Sequence, residues 1–205
     1  MCITYEVAGA LYVNVTNRCS NRCDFCIRNN GDGAYGSDSL WLEREPTKDE
    51  ILSSIFARDL SAYSELVFCG YGEPSYRLAE IRQVALSVKA EYPEIHIRIN
   101  TNGQSDLILG IDSSPFYKDA FDTVSISLNS PTPQGYDKIC HSLYGENAFY
   151  SILTFASRVK SCVPNTVFSV VGDFITEADI SECQRIACEC GIPLRVREYI
   201  GPSEV

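Results

Sequence analysis

Strand-like and helix-like segments alternate along this chain with a regularity that leaves few folds open to it. Runs rich in Val, Ile, Phe and Tyr recur at 11–16, 65–70, 95–101, 123–129, 166–171 and 194–199, the residue types that suit strands. Helical stretches separate them, at 47–60, 75–92, 105–120, 134–163 (broken near Gly145) and 176–191. Thr47 and Glu50 spell a capping box behind Pro46, Thr176 and Asp179 spell a second cap, and Gly191 suits a helix end. Such alternation reads as an α/β parallel sheet with right-handed crossovers. There are no repeats, no low-complexity tract and no clear linker, so residues 1–205 are expected to form a single core domain.

The strands have one apolar and one polar face. Ile95, Ile97 and Ile99 oppose His96, Arg98 and Asn100; Val124, Ile126 and Leu128 oppose Ser125, Ser127 and Asn129. Val13 and Val15 likewise oppose Tyr12, Asn14 and Thr16, and Leu194 and Val196 oppose Arg195, Arg197 and Tyr199. Parallel strands covered on both faces are usually apolar throughout, and a closed barrel fills its interior with Val, Ile and Leu. The pattern therefore predicts an open, partial (β/α)6 barrel whose polar lumen holds a polar ligand. The plainer alternative is a sheet with one solvated face.

Charge and cysteine content narrow the function. A formal net charge of −10 argues against a nucleic-acid backbone or an anionic membrane as partner. No run approaches the roughly 20 apolar residues of a membrane helix, and the N-terminus lacks the basic start and apolar core of a signal peptide. A cytoplasmic location is expected. There the 10 cysteines stay reduced, and clustered thiols point to metal or redox chemistry rather than disulfides.

The cluster is Cys19-Ser-Asn-Arg-Cys23-Asp-Phe-Cys26, directly after the first strand. Three thiolates can hold three irons of a [4Fe–4S] cluster and leave the fourth iron open for chemistry. A thioredoxin-like pair would need only Cys23 and Cys26. A zinc site needs four ligands, and no second pair of suitable spacing follows.

The segment Asn17-Arg18-Cys19-Ser20-Asn21-Arg22-Cys23-Asp24-Phe25-Cys26 resembles the cluster loop of radical S-adenosylmethionine (SAM) enzymes, and the likeness continues along nearly the whole chain. It implies Cys19, Cys23 and Cys26 as metal ligands and catalytic centre, and Phe25 beside the adenine. Gly70-Tyr71-Gly72-Glu73-Pro74 resembles the family's Gly-Gly-Glu-Pro motif, with Tyr71 in place of a glycine. That implies Gly72 and Glu73 at the methionyl ammonium, which seeks carbonyl and carboxylate acceptors. Asn100-Thr101-Asn102-Gly103 and Ser127-Leu128-Asn129 resemble strand ends that touch the SAM ribose and carboxylate, with Asn129 replacing the commoner Asp; Ser169, Val170 and Val171 stand where the family holds adenine. For these small polar residues ordinary strand-end capping is the alternative. Asn-Arg-Cys through Cys-Ile-Arg-Asn, with Leu40-Trp41-Leu42 and Cys69-Gly70-Tyr71-Gly72-Glu73-Pro74, is similar to the small radical SAM proteins associated with TatD-type nucleases.

The resemblance implies reductive cleavage of SAM to methionine and a 5′-deoxyadenosyl radical that abstracts hydrogen from a substrate, with an electron donor such as flavodoxin or ferredoxin. The competing readings are a glycyl-radical-activating enzyme acting on a protein partner, a small-molecule carbon–nitrogen rearranging enzyme, and a non-enzymatic iron–sulfur or zinc binding module. His96, Arg98, Arg195 and Arg197 on the polar faces suggest an anionic group on the ligand, unless they pair with Glu198 or other acids. Trp41 is either a lid residue or a core plug. Cys69 reads as a buried strand residue, Cys140 as structural or as a thiol near the lumen, and Cys183, Cys188 and Cys190 as structural.

Overall fold

A computed structural model describes residues 1–201. Seven strands form one open sheet in the order of the chain: β1 (Thr4–Val7), β2 (Ala10–Val13), β3 (Leu66–Phe68), β4 (Ile97–Thr101), β5 (Thr123–Ser127), β6 (Asn165–Val171) and β7 (Leu194–Arg197). The strands β2 to β7 run parallel, and β1 is antiparallel to β2. The expected partial barrel is therefore present, with one strand more than the sequence suggested.

The extra strand comes from a hairpin. Ala8 (φ 48°) and Gly9 (φ 81°) both occupy the left-handed region, as a tight two-residue turn between twisted strands requires. Glycine is the usual signal for such a turn, but alanine at the first position hid it. The hairpin sets Tyr5 opposite Tyr12, with ring centroids 5.3 Å apart.

Helices α1 (Lys48–Phe56), α2 (Leu78–Glu91), α3 (Ser105–Leu109), α4 (Pro133–Cys140), α5 (Asn147–Val159) and α6 (Glu177–Cys190) supply the crossovers. Both Thr47–Glu50 and Thr176–Asp179 form complete capping boxes, and Gly191 closes α6 at φ 61°. The third helix is shorter than expected. Gly110 at φ 69° ends it, and the Asp106 carboxylate draws in Ser113 N at 2.8 Å to start a new 3-10 turn. The long 134–163 stretch divides at His141 (φ 46°), earlier than Gly145 alone suggested.

The apolar strand faces meet these helices. Val13, Phe68, Ile97, Ile99, Val124, Ile126, Phe168 and Val170 are all buried in one core with Ile81, Val84, Ile152 and Phe155. Burial of this set is the main force holding the domain, at roughly 1.5–3 kcal/mol for each large apolar side chain. The opposite face of the sheet is left for the lumen.

Candidate active site

The lumen is a cavity of about 590 Å³. Strand pleating places Tyr12, Arg98, Asn100, Ser125, Ser127, Ser169, Val171, Arg195 and Arg197 around it. The polar-face expectation holds, except that His96 bonds Thr123 Oγ1 at 2.9 Å and lies outside the lining.

The loop after β2 crosses the C-terminal end of the sheet, where open α/β sheets place their ligands. It is fixed by backbone pairing with the end of α4: Arg22 N donates to Cys140 O at 2.9 Å and Asp24 N to Ile139 O at 3.0 Å. Beneath it lies a buried polar network. Asn21 Nδ2 donates to Tyr136 Oη at 2.9 Å, and Gln104 Nε2 reaches both Asn21 Oδ1 at 2.9 Å and Tyr136 Oη at 2.8 Å. Ser142 Oγ completes it on Gln104 Oε1 at 3.1 Å. Satisfied networks of this kind fix one conformation.

The glycine-rich loop after β3 packs directly on this segment. Glu73 N donates to Arg18 O at 2.7 Å. Gly70 and Gly72 do not need positive φ; they are glycines because of contact. A Cβ on Gly72 would stand 2.2 Å from Thr16 O, and one on Gly70 2.1 Å from Asn14 Oδ1. Tyr71 does not occupy the left-handed region either, so its replacement of glycine costs no backbone strain. Its hydroxyl instead serves the carbonyls of Gly31 and Gly33, both at 2.7 Å, and its ring carries Trp41 edge-on at 5.1 Å. Trp41 is therefore a partly exposed cover on Tyr71, and Leu40 beside it is the buried lining residue.

Glu73 is a brace between loops. Its carboxylate accepts from Ser75 N at 3.0 Å, Thr101 Oγ1 at 2.8 Å and Asn102 N at 2.7 Å. Burial raises its pKa, and those donors oppose the rise. Glu73→Ala leaves three donors without their acceptor. Water from the adjoining cavity can replace part of the bonding, so the expected loss is about 2 kcal/mol, read from the urea midpoint.

Of the residues singled out from the sequence, Phe25, Cys26, Glu73, Asn100, Ser127 and Val171 line the cavity. Cys19, Cys23 and Gly72 stand in the loops beside it. Asn129 does not line it: φ 55° places it in the left-handed region, which asparagine tolerates, and its Nδ2 donates to Cys140 Sγ at 3.5 Å. Cys69 faces the cavity rather than the core. The sequence missed Tyr5 and Phe174. Phe25, Phe174 and Tyr199 form an edge-to-face chain with centroids 5.3 and 5.1 Å apart, and Tyr199 Oη donates to Asn30 Oδ1 at 3.1 Å.

The three thiols are partly buried. Desolvation pushes Cys19 up to about 12 and also raises Cys26; the neighbouring Cys140 thiol, then burial, raises Cys23. Among the described residues no three Cys, His, Asp or Glu side chains converge at metal-binding distance. The donor set itself fits a [4Fe–4S] cluster, since one pinned loop carries three thiols, Cys26 in the cavity lining and Cys19 and Cys23 beside it, and iron would draw off their protons. Two buried oxygens of this region, Asn14 Oδ1 and Asn129 Oδ1, also lack partners.

A family model described as the Radical SAM superfamily matches residues 13–186. GTP 3′,8-cyclase from Acidothermus cellulolyticus is 24% identical over 193 residues, 93% of this chain and 51% of the cyclase. The chain thus spans about half of that relative's length. Streptococcus suis SuiB bound to its precursor peptide SuiA superposes with a TM-score of 0.66 at 15% identity, over 94% of this chain and 39% of SuiB. A radical SAM methyltransferase from Sphaerobacter thermophilus gives 0.66 at 16% identity, over 98% and 70%. These structures share the fold.

Proposed function

This chain belongs to the radical SAM superfamily, whose cofactors are a [4Fe–4S] cluster and SAM, and from that membership we propose that it is an enzyme holding the cluster on Cys19, Cys23 and Cys26. The observation that carries the reading is the three-cysteine loop, pinned at 2.9 and 3.0 Å to the end of α4 across the mouth of a polar cavity. Cys19, Cys23 and Cys26 would hold the cluster, which would supply the electron for reductive cleavage of SAM and so for hydrogen abstraction from a substrate.

The chain's own residues position and shield. Phe25 offers an aromatic wall for the adenine, and Val171 stands in the same lining. Asn100 and Ser127 offer hydrogen bonds to the ribose. Gly72 lets backbone carbonyls approach the methionyl ammonium, and Glu73 adds a carboxylate whose Oε2 accepts only from Asn102 N. Asn129 acts from behind, on Cys140. Tyr5, Tyr12, Phe25 and Tyr199 limit water in the chamber, which a primary radical requires. A reduced flavodoxin or ferredoxin would deliver the electron. The free state of all 10 cysteines suits a reducing cytoplasm.

The test is anaerobic. Protein reconstituted with iron and sulfide, reduced with dithionite and given SAM is expected to release 5′-deoxyadenosine. A colourless product, or a cluster that leaves SAM intact, would sink the assignment in favour of a structural metal module.

A further inference from the structure

The lumen contains three guanidinium groups in a chain of net charge −10, and they are not equivalent. Arg98 is neutralised. Its Nε and NH2 reach the two carboxylate oxygens of Glu65 at 2.9 and 2.7 Å, and its NH1 donates to Asn100 Oδ1 at 2.7 Å. Burial works against its charge, but the Glu65 carboxylate holds its pKa above the usual value.

Arg195 and Arg197 have no such partner. They follow each other on the lumen face of β7, in register with Ser169 and Val171. Among the described residues neither forms an ion pair or donates a side-chain hydrogen bond, and Arg197 Nε is buried without any acceptor. Glu198 also lines the cavity but is exposed and pairs with neither. Burial, then repulsion from Arg195, lowers the pKa of Arg197. A buried Nε–H donor left without an acceptor is costly to keep. It is tolerated where an anion arrives to complete it, and the flat fork of arginine matches a carboxylate or phosphate with two bonds.

We propose that Arg197 and Arg195 form the subsite for an oxyanion, a carboxylate or a phosphate, carried by a small-molecule substrate. Ser125 and Ser169 stand in the same lining as further hydroxyl donors. The proposal rests on the cavity being the chamber for SAM and substrate. It gives β7 the task of orienting the substrate, while the loops after β2 and β3 hold the cofactors.

The experiment uses reconstituted protein at saturating SAM and constant ionic strength, with calorimetric titration of inorganic phosphate and, separately, of succinate. The wild type is expected to bind at least one of them, and the stronger arm names the oxyanion. Arg197→Gln should weaken that binding at least about tenfold, and the more exposed Arg195→Gln should weaken it less. Arg197→Lys should recover part of it, having charge without the fork. SAM affinity, measured in parallel, separates the two readings. If Arg197→Gln loses SAM and anion affinity equally, the guanidinium serves the carboxylate of SAM and the inference fails. It also fails if neither anion binds the wild type, or if binding persists in Arg197→Gln. Absence of 5′-deoxyadenosine from the wild type would overturn the enzyme assignment, a separate readout from the anion titration.

Discussion

Cys23→Ala is expected to leave a protein that reconstitutes without the brown colour of an iron–sulfur cluster and forms no detectable 5′-deoxyadenosine. The cluster has only three protein ligands in the proposed site, so losing one leaves two, too few to hold a cubane that normally takes four. The effect should be all-or-none, because cleavage of SAM depends on the cluster. One structural detail makes the experiment sharper. Cys140, fully buried at the end of α4, is the neighbour that does most to raise the Cys23 thiol. Residual iron in Cys23→Ala that vanishes in the Cys23→Ala/Cys140→Ala double variant would show Cys140 stepping in as a ligand. Undiminished product from Cys23→Ala would overturn the ligand assignment. Iron content and product are both measured, so a fold defect is distinguishable by circular dichroism.

Gly72→Ala is expected to cost about 3 kcal/mol, at the upper end of ordinary overpacking, and to lower Tm by roughly 6–12 °C for a domain of this size. The added methyl would stand 2.2 Å from Thr16 O and 2.7 Å from Arg18 O. Both are backbone atoms of the segment leading into the cysteine loop, so no side chain can swing aside. Relaxation would also strain the 2.7 Å bond from Glu73 N to Arg18 O, which joins the cysteine loop to the glycine-rich loop. SAM affinity should therefore fall along with stability. Gly110→Ala is the contrast. Nothing lies within 4 Å of its added carbon, and only its φ of 69° opposes the change, a penalty of about 1–2 kcal/mol. A Gly72→Ala protein as stable as Gly110→Ala, with SAM binding intact, would show that the close approach of the two loops is dispensable.

Much of this site was legible before any coordinates. The alternation of Ile97 and Ile99 with Arg98 and Asn100 reported a core face and a lumen face, because strand pleating alone decides which side a residue takes. The cysteine spacing and the Gly72-Glu73-Pro74 motif singled out the two loops that the structure packs together, because both motifs are contained in short stretches of chain. The hairpin of β1 was not legible, since its turn begins with alanine at positive φ. Nor was the end of α3, where a glycine and the Asp106 side chain together divert the chain.

The sequence by itself determined the class of fold, the loop that offers the thiols and the polar character of the chamber, all of which follow from local periodicity and motif. Only the tertiary structure decided which charges survive there. Glu65 and Arg98 are 33 positions apart and meet through the β3–β4 register, leaving Arg195 and Arg197 without a carboxylate among the described residues. It also decided that Asn129 stands behind the site on Cys140, and that Phe174 and Tyr199 extend the wall begun by Phe25. Those pairings form between elements distant in the chain, and contacts at that separation leave no periodic trace in the order of residues.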